Sequence, residues 1–200
     1  MAIRKTILNL VFCAAAALAF AASAFAAPAQ VVIIRHGEKQ EYGNQLSEKG
    51  FKRAEALVWF FQTQPAVTQY GTPVAVYAAA PKDEDSSIRS VQTVTPLARA
   101  LNITVNTDFT RGQAHKLVKD IMESPRYTGR MVLISWQHGH IPDIVRELAE
   151  YSPYGPAAQV DLPAEWPDAR FDRAWIIDLY RGRIVSFKNI PQRLLPGDSN

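Results

Sequence analysis

Three short clusters in the chain carry side chains suited to holding and breaking a phosphate ester. They are Arg35-His36-Gly37-Glu38, Arg89, and His138-Gly139-His140, spaced roughly 50 residues apart. A guanidinium is permanently charged and grips phosphate oxygens in pairs. Arg35 and Arg89 together therefore suit a phosphoryl dianion and the charge that builds on it during transfer. A histidine that attacks phosphorus must present a neutral ring nitrogen, and neighbouring positive charge lowers its pKa and keeps it unprotonated. Gly37 is expected to let the backbone come close to the ligand.

These clusters can act together only if the fold brings them to one place. Each follows a strand-like run: Val31 to Ile34, Val74 to Ala78, and Met131 to Trp136. Wholly apolar runs of this kind fit strands buried on both faces, and alternation with amphipathic stretches argues an α/β sheet protein. In open α/β sheets the ligand crevice lies at the carboxyl ends of the strands, where all three clusters fall. Ser47 is expected to cap a helix running to about Gln62, ended by Pro65. A second helix is expected from a cap at Ser86 or Ser87 to near Leu101, bent or restarted by Pro96. Ile103 to Val105 reads as a short strand and His115 to Met122 as a short helix. Ile141 to Glu150 reads as a helix that tolerates Pro142 in its first turn. Tyr151 to Asp168 holds four prolines and no periodicity, and reads as an ordered surface excursion or a lid. Ala174 to Leu179 and Ile184 to Phe187 flank Tyr180-Arg181-Gly182-Arg183 as a hairpin at a sheet edge.

Composition narrows the chemistry. The chain has 200 residues, 48% hydrophobic and 20% charged, which is too apolar to be disordered. The net charge of +3 falls to +1 once Arg4 and Lys5 of a leader-like segment are set aside, so nucleic-acid binding is not indicated. The single cysteine, Cys13, also lies in that segment. The rest of the chain therefore has no disulfide, thiolate metal site or cysteine nucleophile. Residues 1–26 read as a secretory signal: Arg4 and Lys5, an apolar stretch, then Ala24-Phe25-Ala26 before Ala27. Leu10 to Ala22 is 13 apolar residues, short of the roughly 20 that span a bilayer. The expectation is export to the periplasm or medium and a single domain over 27–200, with no membrane association after cleavage.

Arg35-His36-Gly37-Glu38 after an apolar strand, Leu46-Ser47-Glu48-Lys49-Gly50 with Arg53-Ala54, Ser87-Ile88-Arg89 with Gln92-Thr93, and His138-Gly139 resemble, in that order, the histidine phosphatase superfamily, also called phosphoglycerate mutase-like. The similarity runs from about Val31 to Phe187. It implies a three-layer α/β/α fold with a mostly parallel sheet and an antiparallel C-terminal edge hairpin. It also implies a metal-independent phosphoric monoester hydrolase without a cofactor, acting on small-molecule or glycan phosphomonoesters. His36 would form the phosphoenzyme, Arg35 and Arg89 would clamp the phosphate, and His138 would donate to the phosphoryl oxygens.

The chain departs from the family pattern at the proton donor. Members with a His-Asp pair after the third strand use that aspartate, and here the position is Gly139. Others use a glutamate after the second strand; Glu84, Asp85, Asp143 and Glu165 all stay open as the general acid. The mutases' extra recognition segments are missing from this shorter chain, which favours phosphatase over mutase. Two rivals stand beside this reading. One is a catalytically silent phosphate-binding protein of the same fold. The other is a metal hydrolase using His138 and His140 with His36 or His115 and an aspartate, which the two arginines disfavour by repelling a cation.

Overall fold

The protein is described from a computed structural model that covers residues 27–152 and 154–199; the segment read as a secretory signal, 1–26, lies outside the described residues. The strands are β1 (Gln30–Arg35), β2 (Ala75–Ala78), β3 (Val105–Asn106), β4 (Met131–Trp136), β5 (Arg173–Tyr180) and β6 (Arg183–Pro191). The helices are α1 (Glu48–Thr63), α2 (Pro65–Thr68), α3 (Arg89–Ala100), α4 (Ala114–Glu123) and α5 (Ile141–Tyr151).

Successive side chains of a strand point to opposite faces, and β1 is apolar on both. Val31 and Ile33 enter one core, and Val32 and Ile34 enter the other. All four are fully buried, which stabilises the fold by about 1.5–3 kcal/mol for each side chain. Both faces must then be covered, and they are. Leu57, Phe60 and Phe61 of α1 with Val94 and Leu97 of α3 cover one side. Leu117 and Ile121 of α4 with Ile144 and Leu148 of α5 cover the other. The result is a three-layer α/β/α arrangement around one six-stranded sheet, ordered β3-β2-β4-β1-β5-β6. The four strands β3, β2, β4 and β1 run parallel; β5 pairs antiparallel with β1, and β6 with β5. The closing hairpin turns at Arg181 and Gly182, both with positive φ, as a two-residue turn between twisted strands requires.

Ser47 caps α1 as expected, its hydroxyl accepting from the Gly50 N–H at 3.2 Å. Pro65 ends that helix and opens the single turn of α2. Pro142 sits in the first turn of α5. Two expectations need correction. The helix after β2 begins at Arg89, with Ile88 at its cap position: of the two expected caps, the Ser86 hydroxyl is committed to Asp83 Oδ1 at 2.6 Å, and Ser87 Oγ accepts from the Arg89 N–H only at 3.4 Å. That helix runs through Pro96 without restarting. The strand expected at Ile103 to Val105 is Val105–Asn106, the two residues that pair with Val76 and Tyr77. Between α5 and β5 the described residues form no helix or strand, yet Trp166 is buried against Trp175 with ring centroids 4.8 Å apart. No described helix is long and apolar enough to cross a membrane.

Candidate active site

Register brings the first and third clusters side by side. Arg35 lies opposite Trp136 in the β1–β4 ladder, and the His36 N–H donates to the Trp136 carbonyl at 3.0 Å. The residues after both strands therefore leave the sheet together. Strand β2 ends one place earlier, with Ala78 opposite Ser135, and delivers the loop that leads to Arg89. Because β5 is antiparallel to β1, its start also falls at this edge, where Ile34 faces Ala174. Residues 168–172 thus join a site otherwise built from strand ends.

The structure brings Arg35, His36, Arg89 and His138 together around one cavity of about 350 Å3. His36 is 4% exposed, and its Nδ1 lies 2.8 Å from the Gly37 carbonyl oxygen. A carbonyl only accepts, so Nδ1 carries the hydrogen and Nε2 keeps its lone pair. Burial lowers the His36 pKa to about 4; the charges of Arg35, Arg89 and His138 add to it, against the Gly37 hydrogen bond. The ring is neutral near pH 7. Positive neighbours contribute as the sequence suggests, but burial is the larger cause.

Arg35 is held by backbone. Its Nη1 donates to the Asp168 carbonyl and, at 3.3 Å, to the Arg170 carbonyl, while its guanidinium lies 3.7 Å over the Phe171 ring. Its buried Nε has no partner among the described residues. Burial lowers its pKa to about 10, opposed by Asp168 and Glu38, and leaves it charged. His138 Nε2 lies 3.0 Å from Asp168 Oδ1, so Nε2 carries a hydrogen. The Asp168 side chain is 92% exposed, so its carboxylate can swing away and yield that donor to a phosphoryl oxygen. Burial and Arg35 lower the His138 pKa, against Asp168.

Arg89 Nε and Nη2 donate to the Gln45 and Gly43 carbonyls, which orients the guanidinium toward the cavity it lines. Thr93 ties the clusters together: its Oγ1 accepts from the Gly37 N–H at 2.8 Å and donates to the Arg89 carbonyl at 2.7 Å. Gly37 is also required by packing, a second reason that the sequence reading did not give. A Cβ there would meet the Gly50 oxygen at 3.0 Å. Glu38, next in the motif, turns away from the cavity and binds Arg53 through both oxygens, at 2.7 and 3.0 Å. Burial raises the Glu38 pKa, but Arg53 holds it below its ordinary value.

A wider cavity of about 890 Å3 adjoins the first and shares Ser87, Arg89, Arg111, Gln137 and His140 with it. Of the open acid positions, Asp85 lines this chamber, beside Asp83. Glu84 and Glu165 line neither cavity. Asp143 is engaged by Arg146 at 2.6 Å and His140 at 3.1 Å. Among the described residues no carboxylate lines the His36 cavity. No group of three or more His, Cys, Asp or Glu side chains is placed to hold a metal ion, again among the described residues. His115 lies outside both cavities and pairs with Glu147 at 2.8 Å. Lys39, Arg111, Gln137, Asp168 and Phe171 were not singled out in the sequence. The strand-end rule applied to β3 finds Arg111, and placing β5 beside β1 finds Asp168 and Phe171.

The six-stranded sheet with helices on both faces is a phosphoglycerate mutase-like α/β fold. Solved structures share it. A candidate alpha-ribazole-5'-P phosphatase from Escherichia coli superposes with a TM-score of 0.55 at 11% identity, over 82% of this chain and 98% of that one. The protein histidine phosphatase SixA, complexed with tungstate, gives 0.51 at 16% identity, over 82% and 97%. A mycobacterial glucosyl-3-phosphoglycerate phosphatase gives 0.50 at 14%, over 81% and 97%. No protein-family model matches the sequence, and no curated protein matches it.

Proposed function

We propose that the protein is an exported phosphatase that cleaves phosphomonoesters through a phosphohistidine on His36. One observation carries this reading: a buried, neutral His36 whose Nδ1 is fixed on Gly37 and whose cavity it shares with Arg35, Arg89 and His138. Nε2 attacks phosphorus as the P–O bond to the leaving group breaks, and the arginines offset charge on the equatorial oxygens. Water then attacks phosphorus as the P–N bond breaks, releasing inorganic phosphate and restoring His36; the proton that water gives up balances the one the leaving alkoxide takes up. No step is assigned to a metal ion. The fold's solved relatives named as phosphatases support the same reading. The leader supports export, and mass spectrometry of the exported protein should find its start at Ala27.

The test is hydrolysis of an aryl phosphate in EDTA, since a phenolate leaves without a proton donor. Wild-type turnover is expected, with a loss of at least about ten-thousandfold in His36→Ala, as for removal of a catalytic nucleophile. Retained turnover in that variant overturns the mechanism. Among the described residues no carboxylate lines the His36 cavity, which favours a second reading, a silent phosphate-binding protein. Phosphate binding without turnover across a broad phosphomonoester panel would establish that reading instead.

A further inference from the structure

The His36 cavity holds more positive charge than one phosphate needs. Arg35, Arg89, Lys39 and Arg111 all line it, and among the described residues no carboxylate does; Asp168, which lies on His138 at 3.0 Å, offsets one of the four charges and leaves the cavity with more than a dianion requires. A phosphomonoester brings at most two negative charges, which Arg35 and Arg89 can offset between them. Lys39 and Arg111 are exposed, and neither has an ion-pair partner among the described residues.

Arg111 is nevertheless fixed in place. Its carbonyl accepts from the indole Nε1 of fully buried Trp136 at 3.0 Å, and its Nη1 donates to Gln137 Oε1 at 3.3 Å. The preceding residue, Thr110, is bridged to Ala80 beyond the end of β2. These ties set the guanidinium where the two cavities meet, since Arg111 lines both. Lys39 is likewise placed by its backbone bridge to Leu46. Beyond Arg111 the wider chamber offers Asp83 and Asp85 as acceptors, which suit hydroxyl donors.

We propose that Arg111, assisted by Lys39, forms a second anion subsite, so that the preferred substrate is a polyhydroxylated phosphomonoester with a further phosphoryl or carboxylate group on its leaving-group side. This rests on the phosphatase reading. The scissile phosphate sits on Arg35 and Arg89, the hydroxylated body extends into the wider chamber, and the second anion engages Arg111.

The test compares glucose monophosphate with glucose bisphosphate and with phosphogluconate, measuring kcat/KM in the wild type and Kd by calorimetry in His36→Ala. An aryl phosphate serves as the single-anion reference. At least one of the two-anion ligands should be favoured about tenfold, the scale of a charge-assisted hydrogen bond, and Arg111→Gln should bring that ratio close to one. Lys39→Gln should reduce it less. A bisphosphate preference without a phosphogluconate preference assigns a phosphoryl group to the subsite, and the reverse assigns a carboxylate. Ratios near one for both ligands in the wild type overturn the proposal. So does an Arg111→Gln loss as large for glucose monophosphate as for the two-anion ligands, which would place Arg111 on the scissile phosphate. If no substrate turns over while the tenfold Kd difference persists, the phosphatase reading fails and the subsite stands. If the aryl phosphate turns over and the ratios are flat, only the subsite fails.

Discussion

Arg53 and Arg35 are both buried, at 1% and 4% exposure, and the chain treats them in opposite ways. Every N–H of Arg53 is used: Nε and Nη2 bind Glu38, Nη1 and Nη2 bind Asp198, and Nη1 also reaches Gln192 at 3.3 Å. Arg35 has two backbone carbonyls on Nη1, an unpartnered Nε and an aromatic face. A buried cation ringed by carboxylates ties chain segments together, here the loop after β1 to the C-terminal tail. A buried cation left partly unpaired carries a desolvation cost that an anionic ligand can relieve. The first arrangement holds the fold, and the second binds and works.

Breaking the satisfied cluster should give the largest effect on stability. Arg53→Met strands two carboxylates and should cost about 3–5 kcal/mol in urea unfolding. An unchanged midpoint would erase the contrast. The cluster should also set an acid limit. Burial raises the Asp198 pKa, but Arg53 and the N–H groups of Leu194 and Leu195 bring it down to about 2, from 3.8. A carboxyl depressed in the folded state contributes stability above its unfolded pKa and loses it as pH falls. Stability should therefore drop between about pH 4 and pH 2, and Asp198→Asn should flatten that window.

Arg35→Met should do the reverse: hydrolysis of an aryl phosphate falls about a hundred- to a thousandfold, as for loss of a transition-state donor, while stability stays within about 1 kcal/mol. A stability loss like that of Arg53→Met would show Arg35 to be structural after all.

Two glycines beside these arginines repeat the contrast at smaller scale. A Cβ on Gly50 would meet the Glu38 carbonyl oxygen at 2.3 Å, whereas one on Gly139 meets nothing within 4 Å. Gly50→Ala should cost about 1–3 kcal/mol in unfolding free energy. Gly139→Ala should stay within about 0.5 kcal/mol.

The same contrast marks what could be read from sequence. Strands β1, β2 and β4 were legible because burial on both faces leaves an unbroken apolar run. The Ser47 cap was legible because its partner is three residues away. His36 and His138 stood out because each lies just beyond such a strand, Arg35 because it ends one, and Arg89 because it follows the polar loop after β2. Asp168 and Phe171 were hidden, since they reach His138 and Arg35 only through the antiparallel pairing of β5 with β1, which no local pattern records. Arg111 follows a two-residue strand too short for any periodicity. The start of α3 was misplaced because Ser86, a good cap by type, spends its hydroxyl on Asp83.

The finest test of the contrast lies in the His36 titration. Its folded pKa of about 4 reflects burial first and the positive charges of Arg35, Arg89 and His138 second. Lowering the pKa of a histidine favours its neutral form, so the ring should stay unprotonated from pH 7 down to about 4. Ring-nitrogen NMR reads this directly, including in variants without activity. In Arg35→Met one of the lowering charges is gone and the burial is kept, so the midpoint should rise by less than about one pH unit and stop well short of 6.5. A midpoint already near 6.5 in the wild type would mean that water reaches the ring. A return to 6.5 in the variant would mean that Arg35, rather than burial, sets the nucleophile. In Arg53→Met, read below the urea concentration that unfolds it, the midpoint should not move, because the groups that shift His36 are Arg35, Arg89, His138 and Gly37, not Arg53 or its partners Glu38 and Asp198.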